Sequence, residues 1–154
     1  MEDLQVQLES ILDALSEQII QFFEQDLLDA ASSLMAQYSK LAPNTIERYS
    51  LEAMLRAGEN DWARAEEVLQ EGLGFHPLSF DLLYNLGYVF QNQGNLFETY
   101  NMYMKASSVA ETDAEKTDIA TALKGLVDDF QGGVSLQGNQ ISAVLIVGEH
   151  TMNV

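Results

Sequence analysis

The stretch from Ser79 to Ala106, SFDLLYNLGYVFQNQGNLFETYNMYMKA, contains two apolar-periodic segments separated by Gly94-Asn95. Apolar side chains recur three or four residues apart in each segment, which predicts two amphipathic helices. Glycine followed by asparagine predicts a tight turn between them. Gly87 in the first segment is a small residue at a position where the second helix would have to approach closely. The stretch therefore predicts one helical hairpin.

A shift of 34 residues toward the N-terminus carries this hairpin onto residues of similar size. The shift pairs Leu83 with Tyr49, Gly87 with Ala53, Leu96 with Trp62, Tyr103 with Leu69, and Ala106 with Gly72. The two prolines of the chain, Pro43 and Pro77, are also one period apart. Such a period predicts hairpins that stack in register, so that each covers the apolar side of its neighbour.

With this period and this helix–turn–helix unit, the chain resembles the tetratricopeptide repeat (TPR) family. The resemblance depends on Leu83, Leu86, Gly87, Phe90, Gly94, Leu96, Tyr103 and Ala106 in the best unit, and on Trp62, Ala65, Leu69 and Pro77 in the unit before it. Thr99 replaces an alanine usual in the family, and Glu111 replaces a closing proline. The resemblance implies an all-α fold, a right-handed α-solenoid of antiparallel helical hairpins with about three repeats and a capping helix.

The chain divides into a helical repeat domain over residues 1–130 and a tail over residues 131–154. Glycines and the absence of a helical pattern predict a linker from Gln131 to Gln140. The mostly β-branched or aliphatic run from Ile141 to Val147 predicts a buried strand. Such a strand has to pair with another chain, pack on the helices, or open a further α/β domain. Arrays that resemble this one often precede bacterial glycosyltransferase domains, which favours the third alternative as a resemblance only.

Polar residues stand where the helices should begin and predict their N-caps. The candidates are Asp26, Asn44 or Thr45, Asn60 or Asp61, Ser79, Asn95 with Glu98, and Thr112 with Glu115.

The composition is acidic, with 24 aspartates and glutamates against 7 lysines and arginines and a formal net charge of −17. Such a charge disfavours nucleic acids and anionic membranes as partners. Cysteine is absent, which excludes disulfides and thiol chemistry. The N-terminus lacks the pattern of a secretory signal, and no apolar run approaches the length of a membrane span, so we expect a cytoplasmic protein.

No residue pattern in the sequence predicts catalysis, a metal site or a cofactor. His76 and His150 are the only histidines, and neither has a second ligand at helical spacing. Adjacent carboxylates such as Glu66 and Glu67 point about 100° apart on a helix and cannot act together on one bond. Glycine-rich loops lack the lysine and helix of a phosphate site. We therefore expect a protein that is not an enzyme.

A binding surface is predicted instead on the first helix of the best unit. Its candidate partner-binding residues are Asp81, Tyr84, Asn85, Tyr88, Gln91 and Asn92. Aromatic and amide side chains can stack on an extended peptide and hydrogen-bond its backbone. For Tyr84 and Tyr88 the alternative is packing against the next repeat. Asn85 lies where grooves that resemble this one use asparagine.

Acidic or neutral residues, including Asp13, Ser16, Asp81 and Asp118, stand where family members that clamp C-terminal carboxylates have cations. The sequence therefore predicts a protein or peptide partner that is basic or neutral. A homodimer through an open end of the stack or through the strand is a further expectation. The predicted function is a non-catalytic protein–protein interaction module. The alternatives are the N-terminal accessory region of a larger enzyme, such as a bacterial glycosyltransferase, and a secretion chaperone.

Overall fold

A computed structural model describes residues 2–132, 145–148 and 150–152. Within these ranges the chain forms seven helices and one short strand hairpin: α1 (Glu2–Glu24), α2 (Leu28–Leu41), α3 (Ile46–Gly58), α4 (Trp62–Phe75), α5 (Phe80–Asn92), α6 (Leu96–Val109), α7 (Asp113–Gly132), β1 (Leu145–Val147) and β2 (His150–Met152). The predicted all-α character is confirmed for residues 2–132. None of the helices in the described ranges is both long enough and apolar enough to span a bilayer.

Local capping determines where most of the helices begin. The side chains of Thr45, Asp61, Ser79 and Asn95 each accept a hydrogen bond from the backbone N–H three residues further on, at 3.1–3.3 Å. Thr112 and Glu115 form the predicted capping box, in which each side chain accepts a bond from the other residue's N–H. Such caps satisfy N–H groups that have no partner inside the helix.

The predicted cap at Asp26 is wrong. The residue before α2 is Leu27, and its side chain makes no capping bond. Asp26 instead has φ 61°, a left-handed conformation that turns the chain between α1 and α2. Aspartate tolerates this conformation better than most residues, which explains its position there without a capping role.

The helices associate mainly with their neighbours along the chain. The tightest associations are α1 with α2, α3 with α4, and α5 with α6, and the first helices of these pairs also contact each other in the order α1, α3, α5. α4 packs against α5, and α6 packs against α7. This pattern is that of a helical repeat array, in which contacts are made within hairpins and between adjacent hairpins.

Glycines bring the two helices of a hairpin close together at two places. A Cβ on Gly72 of α4 would lie 2.7 Å from Cγ of Tyr49 in α3. A Cβ on Gly87 of α5 would lie 2.5 Å from Cδ1 of Tyr103 in α6. Both tyrosines are fully buried. Glycine is therefore needed at each position because a tyrosine ring occupies the space of the missing side chain.

The C-terminal hairpin packs on the helices and gives the predicted strand its partners. β1 pairs antiparallel with β2 and lies against α3 and α5. Gly148 follows β1 with φ 60°, a left-handed conformation that favours glycine. The predicted strand is confirmed over Leu145–Val147, while residues 141–144 lie outside the described ranges. The first two residues of the predicted linker belong to α7, and the described chain stops there until Leu145.

Candidate peptide-binding site

Asn85 connects the helices to β1 through its side-chain amide. Its Oδ1 accepts a hydrogen bond from the backbone N–H of Ile146 at 2.6 Å, and its Nδ2 donates to the carbonyl oxygen of Ile146 at 2.7 Å. Nδ2 also lies 3.4 Å from Oγ of Ser50 on α3, to which it donates. Asn85 and Ser50 are both fully buried. One side chain therefore satisfies both polar groups of a backbone residue, as a neighbouring strand would.

The orientation of Ile146 follows from the pairing of the two strands. In an antiparallel pair, alternate residues direct their N–H and C=O groups away from the partner strand. Ile146 lies opposite Thr151, between the pairs Leu145–Met152 and Val147–His150. Both of its backbone groups point to Asn85, so it is the outward-facing residue of β1. An extended segment is needed to present both groups in this way.

The side chains of β1 enter the apolar core from two sides. Ile146 belongs to the cluster built around α5 and α6, with Tyr49 and Tyr103 among its members. Leu145 and Val147 belong to the second cluster, which contains Ile19 of α1. Successive side chains of a strand point to opposite sides, which explains this division. All three are buried, so the site accepts three consecutive aliphatic residues in an extended segment.

The two tyrosines predicted for the site are both buried but lie in different surroundings. Tyr84 lies between Phe80 and Tyr103, with ring centroids 5.7 and 5.5 Å away. It thus packs against α6, the second helix of its own hairpin. Tyr88 lies 6.0 Å from Trp62 and belongs to the same cluster as Leu145 and Val147. Tyr84 belongs to the same cluster as Ile146, so each tyrosine lies in one of the two apolar environments that β1 enters.

The predicted amides Gln91 and Asn92 lie at the far end of α5. Gln91 is buried, and its Oε1 accepts a hydrogen bond from the Tyr103 hydroxyl at 3.1 Å. Asn92 is exposed, and its Nδ2 donates to the carbonyl of Tyr88 one turn earlier at 2.9 Å. These bonds stabilise the α5–α6 hairpin and the end of α5. The structure therefore brings Asp81, Tyr84, Asn85 and Tyr88 to the surroundings of the tail and places Gln91 and Asn92 at the far end of α5.

A column of carboxylates, which the sequence analysis did not identify as a set, surrounds the turn of the strand hairpin. It consists of Asp13, Glu47, Asp81 and Glu115, one on each of α1, α3, α5 and α7. These residues are spaced 34 positions apart, so they are the same position in four successive units. The period of the sequence contained the signal for this column. Its location beside the tail depends on the stacking of the units.

Three cavities open around Gly148, at the turn of the hairpin. Asp13 and Glu47 line the first, of about 340 Å³. Glu47 and Asp81 line the second, of about 380 Å³, and Asp81 and Glu115 line the third, of about 300 Å³. Among the described residues that line these cavities there is no lysine or arginine. The end of β1 therefore enters a distinctly acidic space.

Burial and neighbouring charges both act on Asp81. Desolvation is the largest effect, and Glu115 and Glu47 add repulsion, which together raise the pKa of this carboxyl to about 6. Glu47 in turn accepts a hydrogen bond from the Ser16 hydroxyl at 2.6 Å. The ion pairs recorded among the described residues use other carboxylates, as in Arg48 with Glu52 and Lys124 with Asp128. Among the described residues, therefore, no lysine or arginine forms an ion pair with a carboxylate of the column.

Comparison with known proteins adds no further identification of the site. No protein-family model matches the chain, and no curated protein gives a significant match. Within the described ranges, no group of three or more histidines, aspartates or glutamates is arranged to hold a metal ion. The chemistry of the site is therefore that of hydrogen bonding, apolar burial and negative charge.

Proposed function

We propose that this protein is a non-catalytic interaction module of the TPR type, a right-handed array whose first helices bind an extended peptide segment of a partner protein. The single observation that carries the proposal is the pair of hydrogen bonds between Asn85 and Ile146. Binding of an extended backbone by main-chain hydrogen bonds, with pockets for alternate side chains, is an established mode of peptide recognition. The hydrogen bonds that Asn85 makes with the backbone of the chain's own β1 are of this kind, and they support the proposal.

The burial of the occupant supports a site with real selectivity. Leu145 and Val147 are fully buried and Ile146 is 7% exposed, so each aliphatic side chain loses nearly all contact with water. Full burial of such a side chain contributes about 1.5–3 kcal/mol. A polar residue at any of these three positions would lose this contribution and leave a buried polar group without a partner. The site therefore favours aliphatic segments over polar ones.

A peptide-binding assay tests this function directly. The probe is a labelled peptide with the sequence of residues 145–152, LIVGEHTM. The protein is the full chain carrying Ile146→Asp, which disfavours its own tail because a carboxylate cannot be buried there without cost. Fluorescence anisotropy measures the binding. We expect the peptide to bind this variant, and to bind the unaltered chain more weakly because the covalently linked tail competes at high effective concentration.

Asn85→Ala, added to the Ile146→Asp chain, should weaken binding by about 10- to 100-fold, since two hydrogen bonds of about 1 kcal/mol each are lost. Asn92→Ala is the matched control, because it removes an exposed amide from the same helix and should leave the affinity unchanged. Circular dichroism shows whether each variant is folded. A folded Ile146→Asp chain that fails to bind the peptide, or binding that is insensitive to Asn85→Ala, would contradict the proposal.

A further inference from the structure

We propose that the partner segment bound at this site carries three consecutive aliphatic residues followed, within about three positions, by a lysine or arginine. This inference rests on the proposed function and adds the chemical class of the partner. The aliphatic residues take the place of Leu145–Val147, and the cation enters the carboxylate column of Asp13, Glu47, Asp81 and Glu115.

The position of the column relative to β1 sets where the cation must be. Gly148 directly follows the aliphatic residues and lines all three acidic cavities. A Cβ built on Gly148 would lie 3.5 Å from a carboxylate oxygen of Glu47. The side chain three residues after the aliphatic triad, at the position of His150, lines two of these cavities, so a cation there reaches the column on the same course of the backbone.

The chain's own tail does not supply such a cation. No lysine or arginine follows Lys124 in the sequence. His150, the tail residue that lines two of the acidic cavities, is an imidazole and not a lysine or arginine. The tail thus matches the apolar and backbone requirements of the site and leaves its charge requirement unmet. A partner with lysine or arginine at this position has an advantage over the tail.

The electrostatic state of Asp81 supports the same assignment. Its neighbours in the two cavities that it lines include Glu47 on α3, Glu115 and Asp118 on α7, and the histidines His76 and His150. Burial and the two glutamates disfavour its charged form. A lysine or arginine placed between these carboxylates would favour the charged form, and the resulting pairs lie in a partly buried site where they are screened less than on an open surface.

A charge-swapped pair of peptides tests the inference on the full chain carrying Ile146→Asp. Both peptides are variants of residues 145–152. The lysine peptide carries Glu149→Lys and His150→Lys, and the acidic peptide carries His150→Glu. We expect the lysine peptide to bind about tenfold more tightly at low salt, and this ratio to fall in about 0.5 M NaCl because salt screens charge pairs that are only partly buried.

Neutralising the column separates its effect from that of the overall net charge. Glu47→Gln together with Asp81→Asn should reduce the lysine preference to less than about threefold. Glu24→Gln together with Glu67→Gln is the matched control, because it removes the same charge from exposed positions elsewhere and should keep most of the preference. Circular dichroism confirms that the variants are folded.

The outcomes distinguish this inference from the proposed function. Equal, Asn85-dependent binding of both peptides would overturn the cation requirement and leave the proposed function intact. A lysine preference that the column variant leaves unchanged would also overturn the inference, since the preference would then come from net charge. Failure of both peptides to bind a folded protein would overturn the proposed function and the inference together.

Discussion

The α3–α4 and α5–α6 hairpins use the same device to bring their helices together, but they place it in opposite directions. In α3–α4 the tyrosine lies on the first helix, where Tyr49 fills the space beside Gly72. In α5–α6 the tyrosine lies on the second helix, where Tyr103 fills the space beside Gly87. Both rings are fully buried. The two hairpins thus have similar interfaces made from different residues.

The period of 34 residues explains this difference. The equivalents of Tyr49 and Gly72 in the next unit are Leu83 and Ala106, and the equivalents of Gly87 and Tyr103 in the previous unit are Ala53 and Leu69. We call each facing pair of residues a layer. The tyrosine–glycine layer of one unit thus corresponds, position by position, to a leucine and an alanine in the other unit. Because protein interiors are close-packed, what the repeat preserves is the summed volume of each layer. The identity of the residue at each position can vary within that limit.

The largest effect should come from truncating the tyrosine of the second hairpin. Tyr103→Ala should lower the free energy of unfolding by about 3–5 kcal/mol, because it leaves a large cavity and removes the hydrogen bond to Gln91. Tyr103→Phe keeps the ring and should cost only about 0.5–1.5 kcal/mol. Urea denaturation followed by circular dichroism measures both. Equal losses from the two variants would show that the ring does not fill the space beside Gly87.

Adding a methyl group to either glycine should have the next largest effect. Gly72→Ala and Gly87→Ala should each lower stability by about 1–2 kcal/mol, since overpacking a buried contact outweighs the gain of about 1 kcal/mol in helix propensity. The measurement is again urea denaturation. An increase in stability for either variant would mean that the helices can separate freely at that layer.

Double variants sharpen the comparison by converting one layer into the other. Gly87→Ala with Tyr103→Leu gives the second hairpin the layer found at Ala53 and Leu69 in the first. Gly72→Ala with Tyr49→Leu makes the reverse exchange. In each case, the methyl group should cost at least about 1 kcal/mol less beside leucine than beside tyrosine, as a double-mutant cycle measures. Additive effects would contradict conservation of volume within a layer.

The smallest effect concerns equivalent carboxylates of the two hairpins. Asp81 has a pKa near 6 in the folded chain against 3.8 in the reference state. Between these values the folded chain retains a proton that the unfolded chain has lost, so stability falls as the pH rises from about 4 to 6. Asp81→Asn should therefore stabilise the protein at pH 7 by about 1 kcal/mol, a value reduced for the partial exposure of this group, and should have little effect at pH 4.

Glu47→Gln is the matched variant at the equivalent position of the first hairpin. Its carboxylate already accepts a short hydrogen bond from Ser16, so its replacement should give a smaller gain at pH 7 than Asp81→Asn. Thermal unfolding at pH 4 and pH 7 measures both variants. A gain for Asp81→Asn that is the same at both pH values would contradict the interpretation of Asp81.

Local sequence signals predicted most of the helix starts, but they could not show which side chains of α5 face the other helices and which face β1. The caps at Ser79 and Thr112 depend on residues three positions apart, so a short stretch of sequence determines them. Helical periodicity separates a buried face from an exposed one, and from Phe80 to Gln91 every residue except the half-buried Asp81 is buried. α3, α4, α6 and β1 all pack around this helix. Periodicity therefore could not separate Gln91, which hydrogen-bonds Tyr103 of α6, from Asn85, which faces β1.

By itself, the sequence determined the helices, their 34-residue period and the choice of Asn85 as a candidate contact residue, because each depends on spacing along the chain. The tertiary structure alone decided that Asn85 would bind Ile146, 61 residues away, and that four carboxylates from four helices would surround one turn. Such contacts depend on how separate elements stack and on which segment occupies the face they leave open. No local pattern of residues encodes that choice.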